Sequence, residues 1–489
     1  MTRALIRRLV CLSATAVVLL IIVLLLQDFY AIDSDVIGKD AAENVRFGVN
    51  LAKYGIYSGQ PISPDVLPEY RREPLPNFLL AGYLRLADVF SPGFLDQVGQ
   101  PFNQSFLLLI KRSNLLWACL LFVGLWLTSW MVFAPLLAAH WLAFAQILVA
   151  NHFLVSKVIS EMDTELIASV TVVWLGVVLL QASRRQSLRW ICAAGSVFGL
   201  MALTKSSGAY VAVLVLPLVA VVLSGFSKRF WAMLLAISFG FLFTVTPWLL
   251  RNQVHFSKPV IAGGGGDVLL IRSVFNQMDR QQLIDAFYAY APRDMRRDLL
   301  GPWMGLSEDD FACNARLDVF NRKLECDRRA LDQERFEDVR SFYQRGGRAL
   351  PRQMSFNSEQ KKAYALSSFR DNPMSLLAAS LPITWRGFWG FRVKEWNDIY
   401  WNLAAFSSLL LAPLLAWLER RVIWLLVSIV PISYILFYGL ASHFLPRYSS
   451  PFVPSALICL SMLAVDLCSK AVIFFKARTF ATHQVSLRG

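Results

Sequence analysis

Charged residues are scarce in this chain. Only 17% of its 489 residues are Asp, Glu, Lys or Arg, whereas 56% are hydrophobic and the mean hydropathy is +0.48. A soluble domain rarely has this balance, and uncharged runs of about 17–20 residues are long enough to cross the ~30 Å hydrocarbon core of a bilayer. The composition therefore predicts an all-α polytopic membrane protein.

Common catalytic and metal-binding motifs are also missing. The sequence has no HExxH, GxSxG or CxxC motif, and its four glycines at 263–266 lack the GxxxxGK[ST] pattern of a phosphate-binding loop. No cofactor or metal site is therefore assigned, although His255 and Glu73 are a candidate pair for a divalent metal. The net charge of +14 does not require a nucleic acid partner, because Lys and Arg on cytoplasmic loops face anionic lipids.

The apolar runs predict the membrane spans. One uncharged stretch, 115–150, would be ~54 Å long as a single helix, too long for one crossing, and Pro135 predicts a tight hairpin within it. Residues 374–390 are expected to lie at the membrane interface. The ten spans predicted from the sequence lie near 9–26, 115–132, 134–150, 166–182, 190–204, 207–224, 230–250, 401–418, 422–441 and 450–468.

Basic residues set the orientation of these spans. With the N-terminus in the cytoplasm, the turns "RRQSLR" (184–189), "SKR" (227–229) and "ERR" (419–421) fall inside, as does the tail with Lys470, Lys476 and Arg478. This predicts an inner-membrane protein with an uncleaved first span. Its parts are a membrane module (1–250) containing an outer loop (27–114), a small, mainly helical extracytoplasmic domain (251–400), C-terminal spans (401–470) and a cytoplasmic tail (471–489).

Four carboxylates follow the first span. They are Asp33, Asp35, Asp40 and Glu43. Behind them, apolar residues recur at helical spacing and predict an amphipathic helix from about Val36 to Tyr54 on the outer membrane surface. Asp33 or Asp35 could cap this helix, or the carboxylates could take part in catalysis.

Other polar residues are predicted on the same outer side. A carboxylate can accept a proton from an attacking hydroxyl, and cations can hold a phosphate. The same cations could instead be ordinary interface anchors. These further residues are Glu73, Glu161, Asp163, Lys205, Arg251, His255, Lys258, His443 and Arg447.

Two of the seven cysteines lie in the second outer segment. Cys313 and Cys326 are 13 residues apart, so a disulfide is expected if that segment faces an oxidising compartment. The alternative is two free thiols.

The order of several stretches resembles a known superfamily. A span is followed by "DSD…AAENVRFGVNLAKYGIYS", "REPLPNFLLAGYLRL", "SE", "GLMALTKSSG", "PWLLRNQVHFSKPV" and "HFLPRYSSPFVPS". This set resembles the GT-C integral-membrane glycosyltransferases, most closely the bacterial group of protein O-mannosyltransferases and lipid A aminoarabinose transferases. The resemblance spans residues 9 to about 468 and leaves out the loop 265–370.

The resemblance implies a GT-C fold and a glycosyltransferase with an outer-facing active site. Its donor would be a hexosyl or pentosyl polyprenyl phosphate drawn from membrane lipid, and its acceptor a hydroxyl of a glycan, lipid or protein. Asp35 or Asp33 would act as the base, since Asp33-Ser34-Asp35 replaces the family's adjacent acidic pair, with Glu73 as a second acidic position. The implied phosphate contacts are Lys205, Arg251 and Arg447. Separately from the resemblance, Asp40, Glu43, Glu161 and His255 are candidate supporting residues of the site.

Two other functions fit parts of the pattern. A transporter or flippase of lipid-linked sugars would carry charges within its spans near the bilayer midplane. A ligase or polymerase that transfers a whole glycan would need the same side and similar cations. Few charges lie within the predicted spans, which favours an enzyme over a transporter.

Overall fold

The computed structural model describes residues 3–35, 37–390 and 393–486, with side chains described up to residue 472. Within these ranges the chain forms helices and no strands. The helices of eight residues or more are α1 (Arg3–Ala31), α2 (Lys39–Tyr54), α3 (Pro74–Phe90), α4 (Gln104–Arg112), α5 (Asn114–Val132), α6 (Leu136–Ala150), α7 (Glu165–Arg185), α8 (Leu188–Thr204), α9 (Ser207–Ser224), α10 (Lys228–Phe256), α11 (Gly265–Phe275), α12 (Arg280–Ala289), α13 (Glu325–Asp332), α14 (Ser358–Asp371), α15 (Pro373–Phe388), α16 (Trp396–Glu419), α17 (Ile423–Ala441) and α18 (Val453–Ser486).

Nine helical stretches of the described chain are long and apolar enough to cross a membrane. The predicted span at 190–204 corresponds to α8, which is apolar but only 17 residues long. The prediction of an all-α polytopic membrane protein is confirmed. The nine stretches are Ala4–Ala31, Gln104–Val132, Leu136–Val158, Glu165–Arg185, Ser207–Ser224, Lys228–Phe256, Trp396–Glu419, Ile423–Ala441 and Pro446–Val472.

The structure confirms one predicted helix boundary and extends another. The hairpin expected at Pro135 is present, because α5 ends at Val132 and α6 begins at Leu136. The last helix runs beyond the predicted span 450–468 to Ser486, so the tail continues helically to that residue. The side chains of Lys476 and Arg478 lie outside the described part of the chain.

Helices α8 and α10 pack with their backbones in close contact. A Cβ atom on Gly195 would lie 1.9 Å from the carbonyl oxygen of Ile237, and one on Gly240 would lie 2.0 Å from that of Cys192. Only glycine permits this approach, which is common between helices in membranes. Because α9 reverses the chain between them, α8 and α10 run in the same direction. Lys205 and Arg251 therefore emerge at the same end of the bundle.

Helix α2 forms largely as its apolar spacing predicts. Ala41, Val45, Val49 and Ala52 are buried, and the helix ends at Gly55, whose φ of +74° suits glycine. It begins at Lys39; Val36, where the helix was expected to start, lies outside the described residues. The helix also packs against α3. It is therefore partly enclosed by the protein, whereas the sequence predicted a helix lying on the membrane surface.

Residues 265–371 are mainly helical and lie within the segment 251–400, for which the sequence predicted a small, mainly helical domain. Helix α14 packs on α11, and short helical turns fill the region around α13. Cys313 and Cys326 form a disulfide with their Cα atoms 6.1 Å apart, so the expected bridge is confirmed. Helix α15, at the predicted interfacial segment, has 16 residues and packs against α12 and α17. This loop domain thus connects to the spans through α15.

Candidate active site

Arg447 joins three carboxylates from distant parts of the chain. Its guanidinium lies 2.9 Å from Asp40 Oδ2, 3.4 Å from Asp163 Oδ2 and 4.0 Å from Glu165 Oε1. Asp40 lies in the first turn of α2, the other two carboxylates lie at the start of α7, and Arg447 lies in the helical turn before α18. This arginine therefore assembles the site from three segments that the sequence separates.

Lys205 extends the same cluster from the turn between α8 and α9. Its Nζ lies 3.0 Å from Glu165 Oε1, and the Glu165 side chain is only 5% exposed. Burial lowers the pKa of Lys205, but Glu165, Tyr438 and Glu73 together outweigh burial, and the pKa is raised. Lys205 also lies 5.8 Å from the centroid of the Tyr448 ring. Lys205 and Arg447 thus share one buried carboxylate.

A second arginine holds the carboxylates of α2. Arg72 Nη2 lies 2.8 Å from Asp40 Oδ1, and Arg72 Nε donates to Glu43 Oε2 at 2.8 Å. Burial would raise the pKa of Asp40, but hydrogen bonds from Arg72 and Arg447 outweigh it and lower the pKa to about 2. Asp40 is therefore ionised at neutral pH and bridges two arginines. It is a poor proton acceptor for the same reason.

A cavity of about 530 Å³ opens beside these carboxylates. Asp40 and Glu43 line it, together with two residues from the segment before α3, Glu69 and Arg71. Arg71 is 72% exposed and lies 3.3 Å from Glu43. A volume of this size suits a small polar ligand such as a sugar. The lining residues are Lys39, Asp40, Ala42, Glu43, Arg46, Gly59, Gln60, Glu69 and Arg71.

Asp33 and Asp35 have different surroundings. Asp33 Oδ1 accepts a hydrogen bond from Lys111 Nζ at 2.6 Å, and this bond lowers the pKa of Asp33. The Asp35 carboxylate is exposed, and no residue in the described part of the chain forms a hydrogen bond or ion pair with it. The N-cap of α2 is Gly38, without a side-chain cap. Neither aspartate therefore caps this helix, and the capping alternative is wrong.

The loop of Asp33 is tied to the start of α7. The Asp33 amide donates to Ser160 Oγ at 3.3 Å, and Ser160 directly precedes Glu161. Asn114 Nδ2 donates to the backbone carbonyl of Glu161 at 2.7 Å. The segment that carries Glu161 and Asp163 is thereby fixed next to the end of α1. The structure thus brings Asp33, which follows the first span, close to the segment that carries Glu161 and Asp163.

Glu73 and Arg251 hold backbone groups of neighbouring elements. Glu73 Oε1 accepts hydrogen bonds from the Ser206 amide at 3.2 Å and from Ser206 Oγ at 2.9 Å, at the start of α9. Arg251 donates to the Glu69 carbonyl at 2.8 Å and lies 4.7 Å from the Trp248 ring centroid. Both residues border the site, but neither contacts the Arg447 cluster directly.

His255 and a metal site are not supported by the geometry. His255 is exposed at the end of α10 and contacts the Phe256 ring. Among the residues that the structure describes, no group of three or more His, Cys, Asp or Glu side chains could hold a metal ion. The pairing of His255 with Glu73 is not observed there.

Glu165, Glu69 and Arg72 were given no role from the sequence, and Asp163 was named there only among the polar residues of the outer side. Burial and the neighbouring Glu165 raise the pKa of Asp163 to about 6, so its carboxylate can gain or lose a proton near neutral pH. Glu69 accepts from the Gly59 amide at 2.8 Å and lines the cavity. Arg72 lies beside Glu73 in the chain. The alternation of acids and bases in "EYRRE" (69–73) was the signal available for the last two.

Comparisons with known proteins add a fold similarity. No family model matches the sequence. No curated protein matches it either. Among solved structures, the chain is similar to the crystal structure of ArnT from Cupriavidus metallidurans bound to undecaprenyl phosphate, with a TM-score of 0.38 and 14% identity, over 91% of this chain and 78% of that chain. At this TM-score the similarity carries no argument about the site.

Proposed function

We propose that this protein is a GT-C-type membrane glycosyltransferase that moves a sugar from a polyprenyl-phosphate donor to a hydroxyl acceptor at the outer face of the cytoplasmic membrane. The observation that carries this proposal is the Arg447 cluster. Carboxylates from α2 and α7 converge with cations at one end of apolar helices, beside a cavity of about 530 Å³. This arrangement supports the proposal, because a lipid donor in the membrane would meet cations for its phosphate and carboxylates for the acceptor proton in one place.

A lipid-linked sugar phosphate matches each part of this arrangement. Its isoprenoid chain stays in the bilayer beside the spans, its phosphate meets the cations at their ends, and its sugar occupies the polar cavity. Arg71 is one of the exposed cations that line that cavity. Lys205 and Arg447 already pair with carboxylates, so a phosphate near them would share their charge. The mixed charge of the cavity lining favours a hydroxyl-rich ligand over an apolar one.

The proposed reaction is a single displacement at the anomeric carbon. The acceptor oxygen forms the new bond to that carbon, and the bond to the donor phosphate oxygen breaks with its electron pair. Polyprenyl phosphate leaves as an anion, which needs no protonation when cations hold it. The acceptor proton passes to a carboxylate. The sugar is transferred with inversion.

Asp35 is the proposed base, because its carboxylate is exposed and is not engaged by a described residue. Asp33 would hold the loop through Lys111. Asp163 is the second candidate, since a base with a pKa of about 6 suits catalysis near neutral pH. General-base assistance of this kind is worth ~10²–10⁴-fold in rate.

The test is sugar transfer by the purified protein in lipid nanodiscs. Polyprenyl phosphates that carry labelled hexoses or pentoses are offered with envelope glycolipids, polysaccharide or protein from a deletion strain. The expected result is label on one acceptor class and release of polyprenyl phosphate. Movement of the donor across a vesicle membrane without any transfer would identify a flippase instead, and transfer of a whole glycan from a lipid diphosphate would identify a ligase or polymerase.

A further inference from the structure

Two neighbouring apolar side chains of the loop domain are exposed in the short helical turn at 296–304. Leu299 is 54% exposed and Trp303 is 79% exposed. They are four residues apart in helical backbone, Arg296–Leu300 followed by Gly301–Met304, and therefore lie on the same side of the turn. Single exposed apolar residues are common on proteins, but a group of them indicates a contact surface.

This turn is attached to the first turn of α16. Trp396 Nε1 donates a hydrogen bond to Asp298 Oδ2 at 2.8 Å. The Asp294 amide donates to the Lys394 carbonyl at 3.0 Å. Because α16 is one of the helical stretches that are long and apolar enough to cross a membrane, the turn 296–304 lies at the end of a span.

The turn contacts the lipid-facing side of α16. Tyr400 is exposed, and its ring stacks on that of Trp396 with the centroids 5.6 Å apart. Leu411, Leu414 and Leu418 are also exposed, and the helical repeat of ~3.6 residues places all five side chains on one side of the helix. Along a span, an exposed apolar side faces lipid, and Trp and Tyr at its end are typical of the membrane–water interface. The turn therefore lies at the depth of the lipid headgroups.

Helix α12 extends the same apolar surface. Ile284 and Phe287 are exposed and three residues apart, and α12 packs against the turn 296–304. The Phe287 carbonyl accepts a hydrogen bond from Trp385 Nε1 on α15 at 2.9 Å. The residue before this tryptophan packs directly against Gly439, in the last turn of α17. A second span thus fixes α12 near the same end of the bundle.

The charged residues around the turn are already paired. Arg297 donates two hydrogen bonds to the Asp298 carboxylate, at 2.6 and 2.8 Å. Arg293 lies 3.2 Å from Asp294 and 3.7 Å from Glu395. Because carboxylates balance these arginines, attraction to a membrane would come from the apolar and aromatic side chains and would not require anionic lipid.

We infer that Leu299 and Trp303, together with Ile284 and Phe287, insert into the lipid at the boundary between headgroups and acyl chains. The partner of this surface is the same bilayer that the spans cross. An indole suits this position, because its ring is apolar and its N–H can still reach a polar group. The inference goes beyond the proposed function and does not depend on it, and the four residues belong to the loop that the family resemblance leaves out.

The experiment measures the depth of single positions in the bilayer. The five free cysteines are replaced and the disulfide is kept. Full-length protein with Trp303→Cys or Leu299→Cys is labelled with an environment-sensitive fluorophore and reconstituted into nanodiscs. Fluorescence is quenched with lipids that carry a nitroxide near the headgroup end of the acyl chain, and separately with iodide in water. The matched control is Glu337→Cys, at an exposed position of the charged stretch 332–338 in the same domain.

We expect nitroxide lipids to quench the fluorophore at positions 299 and 303, and iodide to quench it about threefold less, or weaker still, than at position 337. The result should be the same in neutral and in anionic bilayers, because the nearby arginines are already paired. Leu299→Cys keeps Trp303, so this variant decides alone if Trp303→Cys does not fold.

Three results would overturn the inference. The first is iodide quenching as strong as in the control at both positions. The second is protection from iodide without nitroxide quenching; cross-linked dimers through these positions would then identify a second copy of the chain as the partner. The third is nitroxide quenching that requires anionic lipid, which would contradict the apolar basis of insertion. Sugar transfer does not enter the measurement, so a failure of the proposed function would leave its outcome unchanged.

Discussion

Arg447 Nη2 lies 2.9 Å from Asp40 Oδ2, and these residues are 407 positions apart in the chain. Their ion pair links the turn before α18 to the first turn of α2. Arg447 also contacts the start of α7, so one side chain holds together the N-terminal module and the C-terminal spans. The site therefore depends on the complete bundle.

Arg447→Gln tests this dependence. The substitution leaves the partly buried carboxylates of Asp40, Asp163 and Glu165 without their common cation. We expect a loss of about 1–3 kcal/mol in unfolding free energy, since a buried acceptor without its partner keeps its desolvation cost. Sugar transfer should fall at least about tenfold. Thermal unfolding in detergent and the nanodisc transfer assay measure the two effects.

Arg421→Gln is the matched control for that prediction. Arg421 pairs with Asp466 at 2.9 Å, in the turn between α16 and α17, which the proposed topology places on the cytoplasmic side. Loss of this ion pair should lower the stability of the protein. It should not lower sugar transfer when equal amounts of folded protein are compared. Equal transfer defects in both variants would mean that Arg447 acts only through folding.

Asp163 gives the site a pH dependence with a definite sign. Burial and Glu165 raise its folded pKa to about 6 from the ordinary 3.8. Between these values the folded protein binds the proton more tightly than the unfolded chain does, so this residue's contribution to stability falls as the pH rises from about 4 to about 6. Asp163→Asn should remove that contribution. The difference between variant and wild-type unfolding temperatures should therefore shift in favour of the variant over this range, and a constant difference would contradict the raised pKa.

The disulfide should matter mainly to the loop domain. Cys313 and Cys326 close a loop of 13 residues, and bridging such a loop is worth about 3 kcal/mol. Replacing both cysteines by serine should destabilise residues 265–371. Hydrogen exchange should therefore become faster in these residues and remain unchanged in the spans. Peptide mapping without reduction should recover the two cysteines linked in the wild-type protein. Recovery of both as alkylated free thiols would refute the bridge.

The orientation of the protein can be tested by thiol labelling. The five free cysteines are replaced and the disulfide is kept. A single cysteine at Ser227, in the turn before α10, should resist a membrane-impermeant reagent in intact cells, because the basic turns are expected to face the cytoplasm. One at Ser355, in the loop domain, should react. Labelling of the cysteine at position 227 in sealed cells would show that the orientation is the opposite of the expected one.

Local features of this fold could be predicted because they depend on near neighbours in the chain. The spacing of Ala41, Val45, Val49 and Ala52 identified the buried side of α2, Pro135 marked the hairpin, and two cysteines in one loop suggested the disulfide. These inferences need only helical periodicity, backbone restriction and distance along the chain. The lengths of α1 and α10, 29 residues each, exceed what hydropathy indicated, because helices continue past the apolar core.

The partners of the charged residues could not be predicted. The local sequence does not indicate which residues these charged groups contact, because the contacts arise from the packing of whole helices. Examples are Arg447 with Asp40, Glu73 with Ser206 and Asp33 with Lys111.

Asp35→Asn tests the proposed base. Asparagine keeps the size and polarity of the side chain but cannot accept a proton, and no described partner of the Asp35 carboxylate is lost. Folding should therefore remain near normal, while transfer falls about 10²-fold or more. Asp33→Asn weakens the contact with Lys111 and should lower both stability and transfer. The measurement is the initial rate of transfer from a polyprenyl-phosphate sugar, with unfolding temperature as the folding check.

Asp65→Asn is the matched control, because Asp65 is an exposed carboxylate of the same segment, 27–114, with no described contact to the Arg447 cluster. It should transfer sugar at the wild-type rate. If Asp35→Asn also keeps full activity, Asp35 is not the base. Asp163 is then the next carboxylate to replace, since its raised pKa leaves it able to accept a proton above about pH 6. Loss of transfer in Asp163→Asn, with Asp35→Asn active, would identify Asp163 as the proton acceptor. The acceptor would then lie at the start of α7, beside Lys205 and Arg447, the cations that would hold the departing phosphate.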